Sequence, residues 1–290
     1  MKKKRRTAED WIVDIIVYAI VIILSISIVL PFMQVITISM SPASVVNKNG
    51  FHLFPTKLDF SGYKTIMTDD NFWHSYLVTI ARTVIGTFSC VLITVLTAYP
   101  LSKSNLPYRK GLMIFVVFTM YFSGGMIPKY LLLKNIGLTN HFLVYILPCL
   151  ITGFALIVTR NFFMTLPQAL EESARIDGAS NMKILFSIYL PLSLPVLATI
   201  ALWYAVTHWN SWMDNMLYIT KQNLYVLQYV LQTILNNGQT PDMEMAVGIV
   251  VHTETMKMAA LVLSLIPIVC VYPFLQKYFI KGMVVGSVKG

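Results

Sequence analysis

The sequence predicts an all-α, polytopic membrane protein with six transmembrane helices, and three observations carry that expectation. The 290-residue chain is 56% hydrophobic and only 12% charged, with a mean hydropathy of +0.67. That is too little charge to cover a soluble domain of this length. The apolar residues come in blocks long enough to cross a bilayer. The basic residues gather on one side of those blocks.

The first block runs from Ile12 to Leu30 with Asp14 as its one charge. At about 1.5 Å per residue, a run of roughly this length crosses a hydrocarbon core of about 30 Å. The basic stretch before it, Lys2-Lys3-Lys4-Arg5-Arg6, resembles the start of a signal peptide. The apolar run is too long for one, however, and Leu30-Pro31-Phe32-Met33-Gln34 offers no small-x-small cleavage site. The expectation is a basic N-terminal segment over 1–11 and an uncleaved first span. The six expected spans are 12–38, 74–101, 112–133, 141–164, 186–211 and 258–278. Several contain Pro or Gly, which bundles tolerate where neighbours satisfy the freed backbone groups.

Six spans put both termini on one side. Lys and Arg decide which side, because basic residues stay cytoplasmic. Of the 22 Lys and Arg, fourteen fall on the terminal side, including Lys103, Arg109, Lys110, Arg160, Arg175 and Lys183, against seven opposite; Arg82 lies within a span. The net charge of +9 is thus a topology feature and requires no nucleic-acid partner. Both termini are expected in the cytoplasm. Cys90, Cys149 and Cys270 lie far apart inside apolar blocks and read as small buried hydrophobes without metal-binding spacing. Two outer segments, 39–73 and 212–257, are long. Within the second, Leu224, Leu227, Val230, Leu231 and Ile234 have the spacing of an amphipathic helix.

One cytoplasmic loop, 166–191, differs from the rest. Pro167 suits a helix start, Glu171 and Glu172 sit near the positive end of the helix dipole, and Gly178 suits a left-handed C-cap. Ser180 can cap a second helix that Pro191 interrupts. The first helix is too short to be stable alone in water. It combines small residues, Ala169, Ser173 and Ala174, with the apolar Leu170 and Ile176. Such a helix either packs on its own bundle or fills a groove on another protein.

The run Glu171-Glu172-Ser173-Ala174-x-x-Asp177-Gly178-Ala179, followed by Ile188-x-Leu190-Pro191, resembles the EAA motif of bacterial ABC importer permeases. Ser173 stands where that family most often has Ala. The resemblance implies the type I importer permease fold and a single permease domain over 12–290 with its core at about 70–280. It also implies that Leu170, Glu171, Glu172, Ser173, Ala174, Asp177, Gly178 and Ala179 form a coupling helix docking in a cleft of a cytosolic ATPase. The tail Lys281–Gly290 and Ala98-Tyr99-Pro100-Leu101-Ser102 are similar to maltose-type inner permeases, and Tyr225–Leu231 and Phe72-Trp73-x-Ser75-Tyr76 to their LplC-like branch.

The partners this implies are a homologous second permease, two ATPase subunits, an extracytoplasmic solute-binding protein, an oligosaccharide and membrane lipid, in the bacterial cytoplasmic membrane. ATP and Mg would sit on the ATPase, with no cofactor or metal on this chain. In the same family a loop here touches the binding protein; the turn-rich Asn236, Asn237, Gly238 and Gln239 suit such a tip.

No phosphate-binding G-x-x-x-x-G-K-[ST], H-E-x-x-H or G-x-S-x-G occurs, so neither ATP binding through a P-loop nor hydrolytic catalysis is expected. Permeation of a non-sugar solute, or secondary transport, are the rival readings. Secondary transport is disfavoured because no Asp or Glu lies deep in a span. Trp209, Asn210 and Trp212 read either as a sugar pathway or as an interfacial aromatic belt. Arg82, about 13 Å past Trp73 along its helix, has three readings: it bonds helix carbonyls or an acid of another chain, it snorkels, or it recognises a substrate carboxylate.

Overall fold

The computed structural model of the chain describes residues 8–46, 50, 51, 53–237 and 254–270. The described residues are helical with no strand: α1 (Ala8–Ser39), α2 (Ala43–Val46), α3 (Ser61–Met67), α4 (Asp70–Ser102), α5 (Arg109–Tyr121), α6 (Met126–Asn135), α7 (Gly153–Phe163), α8 (Gln168–Ile176), α9 (Asn181–Ile184), α10 (Leu190–Leu192), α11 (Leu194–Asn210), α12 (Met213–Tyr218) and α13 (Leu227–Asn237). A last helix, α14, covers 254–270.

Among the described residues, two helices are long and apolar enough to cross a membrane unbroken, Trp11–Ser39 and Asp70–Ser102. The spans expected at 112–133, 141–164 and 186–211 are each bent pairs rather than single helices. The bends are 109° between α5 and α6, 52° between Phe142–Cys149 and α7, and 85° between Asn181–Leu192 and α11. Counting each bent pair as one span gives up to five among the described residues; the expected sixth, 258–278, lies partly outside them. The breaks have local causes. Gly125 sits at φ +90, a conformation L side chains rarely adopt. Ser193 falls between Pro191 and Pro195, and a π-helix, Leu185–Tyr189, lies shortly before it.

Two compact units share the chain, one built from 1–69 with 233–265 and one from 70–232 with 266–290. In the first, the C-terminal end of α1 is tied by hydroxyls. Thr37 Oγ1 donates to Leu53 O at 3.0 Å, Ser39 Oγ meets the Tyr63 hydroxyl at 2.7 Å, and Thr255 Oγ1 donates to Ser41 O at 3.1 Å. In the second, α4 is the central post, about 50 Å long at 1.5 Å per residue, and packs against α7 and α11.

Three apolar clusters follow one another along α4. Val95, Tyr99, Phe163, Leu185 and Tyr189 lie at one end; Cys90, Ala155, Ile200 and Tyr204 in the middle; Tyr145, Tyr218 and Val226 at the other. Between them the helices approach closely. A Cβ on Gly86 would stand 2.6 Å from His208 Nε2, and Thr94 Oγ1 bonds the Tyr204 hydroxyl at 2.9 Å. The amphipathic segment expected from Leu224 is a helix from Leu227, with Leu227, Val230, Leu231 and Ile234 buried as the spacing requires.

Gly86→Val should push His208 and α11 off α4 and destabilise the protein by about 1–3 kcal/mol, the usual cost of overpacking. A drop in thermal midpoint of the purified protein checks this; an unchanged midpoint refutes the close approach.

Candidate functional site

α8 begins after Pro167, which occupies the N-cap rather than the first helical position. It ends in a Schellman closure: Gly178 N–H donates to Arg175 O at 3.0 Å and Ala179 N–H to Ala174 O at 2.9 Å, with Gly178 at φ +77. Nothing lies within 4 Å of a Cβ built on Gly178, so its requirement within this chain is conformational. Ser180 Oγ then accepts from Lys183 N–H at 3.3 Å and starts α9, as expected.

The residues of this loop divide into two faces. Ala174 and Ala179 pack on the Val95–Tyr99–Tyr189 cluster. Leu170, Glu172, Ser173, Asp177 and Gly178 are exposed, and Ile176 is 87% exposed. Glu171 turns inward, its side chain 12% exposed. It ion-pairs with Lys103, accepts from the Tyr189 hydroxyl at 2.7 Å, and accepts from Arg175 Nη2 at 2.9 Å. Lys103 is itself enclosed: Nζ lies 4.1 Å from the Tyr99 ring centroid and 4.0 Å from that of Tyr189, and donates to the Tyr189 hydroxyl at 2.8 Å.

Burial alone would raise the Glu171 carboxyl, but the hydrogen bonds from Lys103, Tyr189 and Arg175 outweigh it and hold the pKa down to about 2. Lys103 moves downward too, because its burial outweighs the stabilisation by Glu171. Glu171 is therefore the member of the pair whose charge is the more firmly held. The i,i+4 relation of Glu171 and Arg175 is visible in the sequence. Lys103 and Tyr189 are not, since no local pattern joins residues 68 or 18 positions apart.

A second polar centre lies about 30 Å away along α4, at Arg82 in its N-terminal half. Arg82 is 1% exposed, ion-pairs through both terminal nitrogens with Asp214, and donates from Nη1 to Ser211 O at 3.0 Å. Its guanidinium carbon lies 4.5 Å from the Tyr145 ring centroid. The Tyr145 hydroxyl in turn reaches Asn215 Oδ1 at 2.7 Å and Leu224 O at 2.8 Å. The structure places Arg82 inside the chain, whereas the sequence left its partner open. Its bidentate face is occupied by an acid of this same chain, and the side chain is enclosed.

The other residues expected along a pathway separate. Trp209 is buried edge-on against Tyr76, so it is packed rather than open. Trp212 is half-buried, and Asn210 is exposed with its Nδ2 donating to Val206 O at 2.9 Å. Asn236 is exposed near the end of α13 and Asn237 is its last residue, while Gly238, Gln239 and the Lys281–Gly290 tail lie outside the described residues. No cluster of His, Cys, Asp and Glu suited to a metal occurs among the described residues.

The sequence matches, over residues 5–285, the family described as "Binding-protein-dependent transport system inner membrane component". The chain belongs to that family and is a transport subunit, not an enzyme. It is 43% identical over 285 residues to the "Polygalacturonan/rhamnogalacturonan transport system permease protein YtcP" of Bacillus subtilis (strain 168), covering 97% of this chain and 100% of that one. It is 42% identical over 264 residues to "Protein LplC" of the same organism, covering 90% of each. A chain of the crystal structure of "a bacterial ABC transporter involved in the import of the acidic polysaccharide alginate" superposes with TM-score 0.89 at 31% identity, covering 96% of this chain and 100% of that one. The fold is that of a type I ABC importer permease.

Two outcomes follow from the two polar centres. Glu171 is held below its unfolded value, near 4.3, so its contribution to stability is complete above that pH and is lost as pH falls toward 2. Acid titration of the wild type should show this loss, and Glu171→Gln should abolish that part of the slope. Arg82→Gln leaves Asp214 without its partner and should destabilise the protein by about 3–5 kcal/mol, read as a lower thermal midpoint and poorer yield. Full stability with selective loss of acidic-substrate uptake would restore the recognition role.

Proposed function

We propose that this chain is the permease subunit of an ATP-driven importer that takes up an oligosaccharide delivered by an extracytoplasmic binding protein. The observation that carries the reading is the two-faced α8. Its inner face is held by Glu171, Ala174 and Ala179, while Ile176 is 87% exposed and Leu170 partly so among the described residues. A nine-residue helix presenting apolar knobs beside small residues suits a groove on a second protein. Leu170, Glu172, Ser173, Asp177 and Gly178 are the docking surface for an ATPase in this reading, and Glu171, Ala174 and Ala179 position it.

The rest of the reading follows the topology. Each bent helix pair counts as one span, which with α1, α4 and α14 makes six, and both termini face the cytoplasm with the basic segment 1–11. Residues 12–290 act as one permease domain, and the compactness of 70–232 supports a core beginning near Asp70. A second, homologous permease completes the pore, and two ATPases bind ATP and Mg. Asn210 and Trp212 face the sugar pathway, and Asn236, Asn237, Gly238 and Gln239 meet the binding protein.

The substrate is an acidic, uronate-bearing oligosaccharide. Support comes from the relatives, one described as a polygalacturonan and rhamnogalacturonan permease and another as part of an importer of acidic alginate. With Arg82 committed to Asp214, the acid-recognising cations belong elsewhere in the assembly.

Reconstitution with the partner permease, ATPase and binding protein tests both parts. Ile176→Asp should leave the permease inserted but cut stimulated ATPase activity by about tenfold or more. Binding protein loaded with oligogalacturonide should stimulate the wild type more than a neutral oligosaccharide of equal length. Full stimulation of Ile176→Asp would remove α8 as the docking helix; equal stimulation by neutral sugar would remove the acidic substrate.

A further inference from the structure

At the end of the bundle that carries α8, a cavity of about 780 Å³ opens between the start of α5 and α7. Three of its lining residues, Arg109, Lys110 and Arg160, are cations, and none is an acid. None of the three forms an ion pair among the described residues. Arg109 Nη2 donates to the Met164 thioether, a poor acceptor, at 3.2 Å. Arg160 donates from Nε to Leu101 O and from Nη1 to Asn161 Oδ1, both at 3.0 Å, and both acceptors are neutral. Three like charges around one cavity repel each other and create a positive potential that an anion would relieve.

The other wall is apolar. Met113 and Ile114 line the cavity from α5. They continue into a helix with no buried residue, whose Ile114, Phe115 and Phe118 are more than half exposed. In a membrane protein such a face lies against acyl chains. Tyr108, 89% exposed at the cavity rim, has the amphipathic ring found at the lipid–water boundary. Cations at headgroup level above an apolar wall match the two ends of one molecule.

We propose that this cavity binds the phosphate headgroup of an anionic phospholipid, with Arg109 and Lys110 on the phosphate and one acyl chain along Met113 and Ile114. A free phosphate or a soluble anion would use the cations and leave the apolar wall uncovered. An ATPase surface resting here would cover the wall but need an acidic patch opposite the cations. The lipid uses both features at once. Arg160 sets the depth of the site, since its Nε is held on the C-terminal end of α4.

The test is native mass spectrometry of the purified transporter carrying this chain, exchanged into micelles with equal phosphatidylglycerol and phosphatidylcholine. Wild type should retain phosphatidylglycerol over phosphatidylcholine by about fivefold or more. The double variant Arg109→Gln with Lys110→Gln should lose that preference, and the charge-keeping Arg109→Lys with Lys110→Arg should restore most of it. Thermal midpoints of all three in phosphatidylcholine alone should agree, which separates lost binding from lost folding. Inorganic phosphate at tenfold excess should not displace the lipid. Retention by the double variant equal to wild type overturns the site. So does displacement by inorganic phosphate, which would make it an anion site, and so does retention only in permease stripped of its ATPase, which would make it part of that interface.

Discussion

The structure depends on how a nine-residue helix is held in place while most of its surface remains bare. A helix as short as α8 gains too little from its own hydrogen bonds to persist in water, and its apolar residues point outward. The enclosed ion pair of Glu171 with Lys103, lying between the rings of Tyr99 and Tyr189, supplies what burial does not. Taking these charges out of water is costly, and the cost is offset only because each has several partners at good geometry. Glu171 accepts from three side chains, and Lys103 meets one carboxylate, one hydroxyl and two aromatic faces.

The partners of Glu171 decide what α8 is attached to. Lys103 immediately follows α4, the central post of its unit, and Tyr189 closes the π-helix that precedes the break before α11. One carboxylate thus joins α8 to α4 and to the π-helix before α11. In the docking role proposed for α8, a push on it would reach the ends of helices rather than a loop. In its N-terminal half α4 is tied by Arg82 to Ser211 and Asp214, which follow α11. Between that tie and the break before α11, the two helices approach closely at Gly86 and His208.

Much of this was legible in the sequence, and the rest fails for definite reasons. Long apolar runs show themselves because lipid permits little else. The left-handed cap at Gly178, the Ser180 cap and the buried stripe of α13 follow local rules and were expected. The sharp bends after Tyr121 and at Ser193 were visible only as Gly and Pro within apolar blocks, and those residues mark a break without giving its angle. The sequence reading offered Arg82 helix carbonyls or an acid of another chain; its acid is Asp214 of this same chain, which lies 132 positions away and reads locally as an outer-loop acid. The resemblance to the EAA motif placed eight residues of this loop in a single docking surface; the structure turns Glu171, Ala174 and Ala179 to the opposite side. Their partners come from the distant ends of α4 and from the π-helix, and no spacing rule connects them.

The most direct measurement of this account is the number of substrate molecules imported per ATP hydrolysed in proteoliposomes, compared across wild type, Lys103→Met, Glu171→Gln and the charge-exchanged Lys103→Glu with Glu171→Lys. With α8 anchored through this pair, each single variant should keep the ATPase bound and hydrolysing while import per ATP falls several-fold, and the exchanged pair should recover part of the loss. An unchanged import ratio in both single variants, with the complex intact, would contradict it.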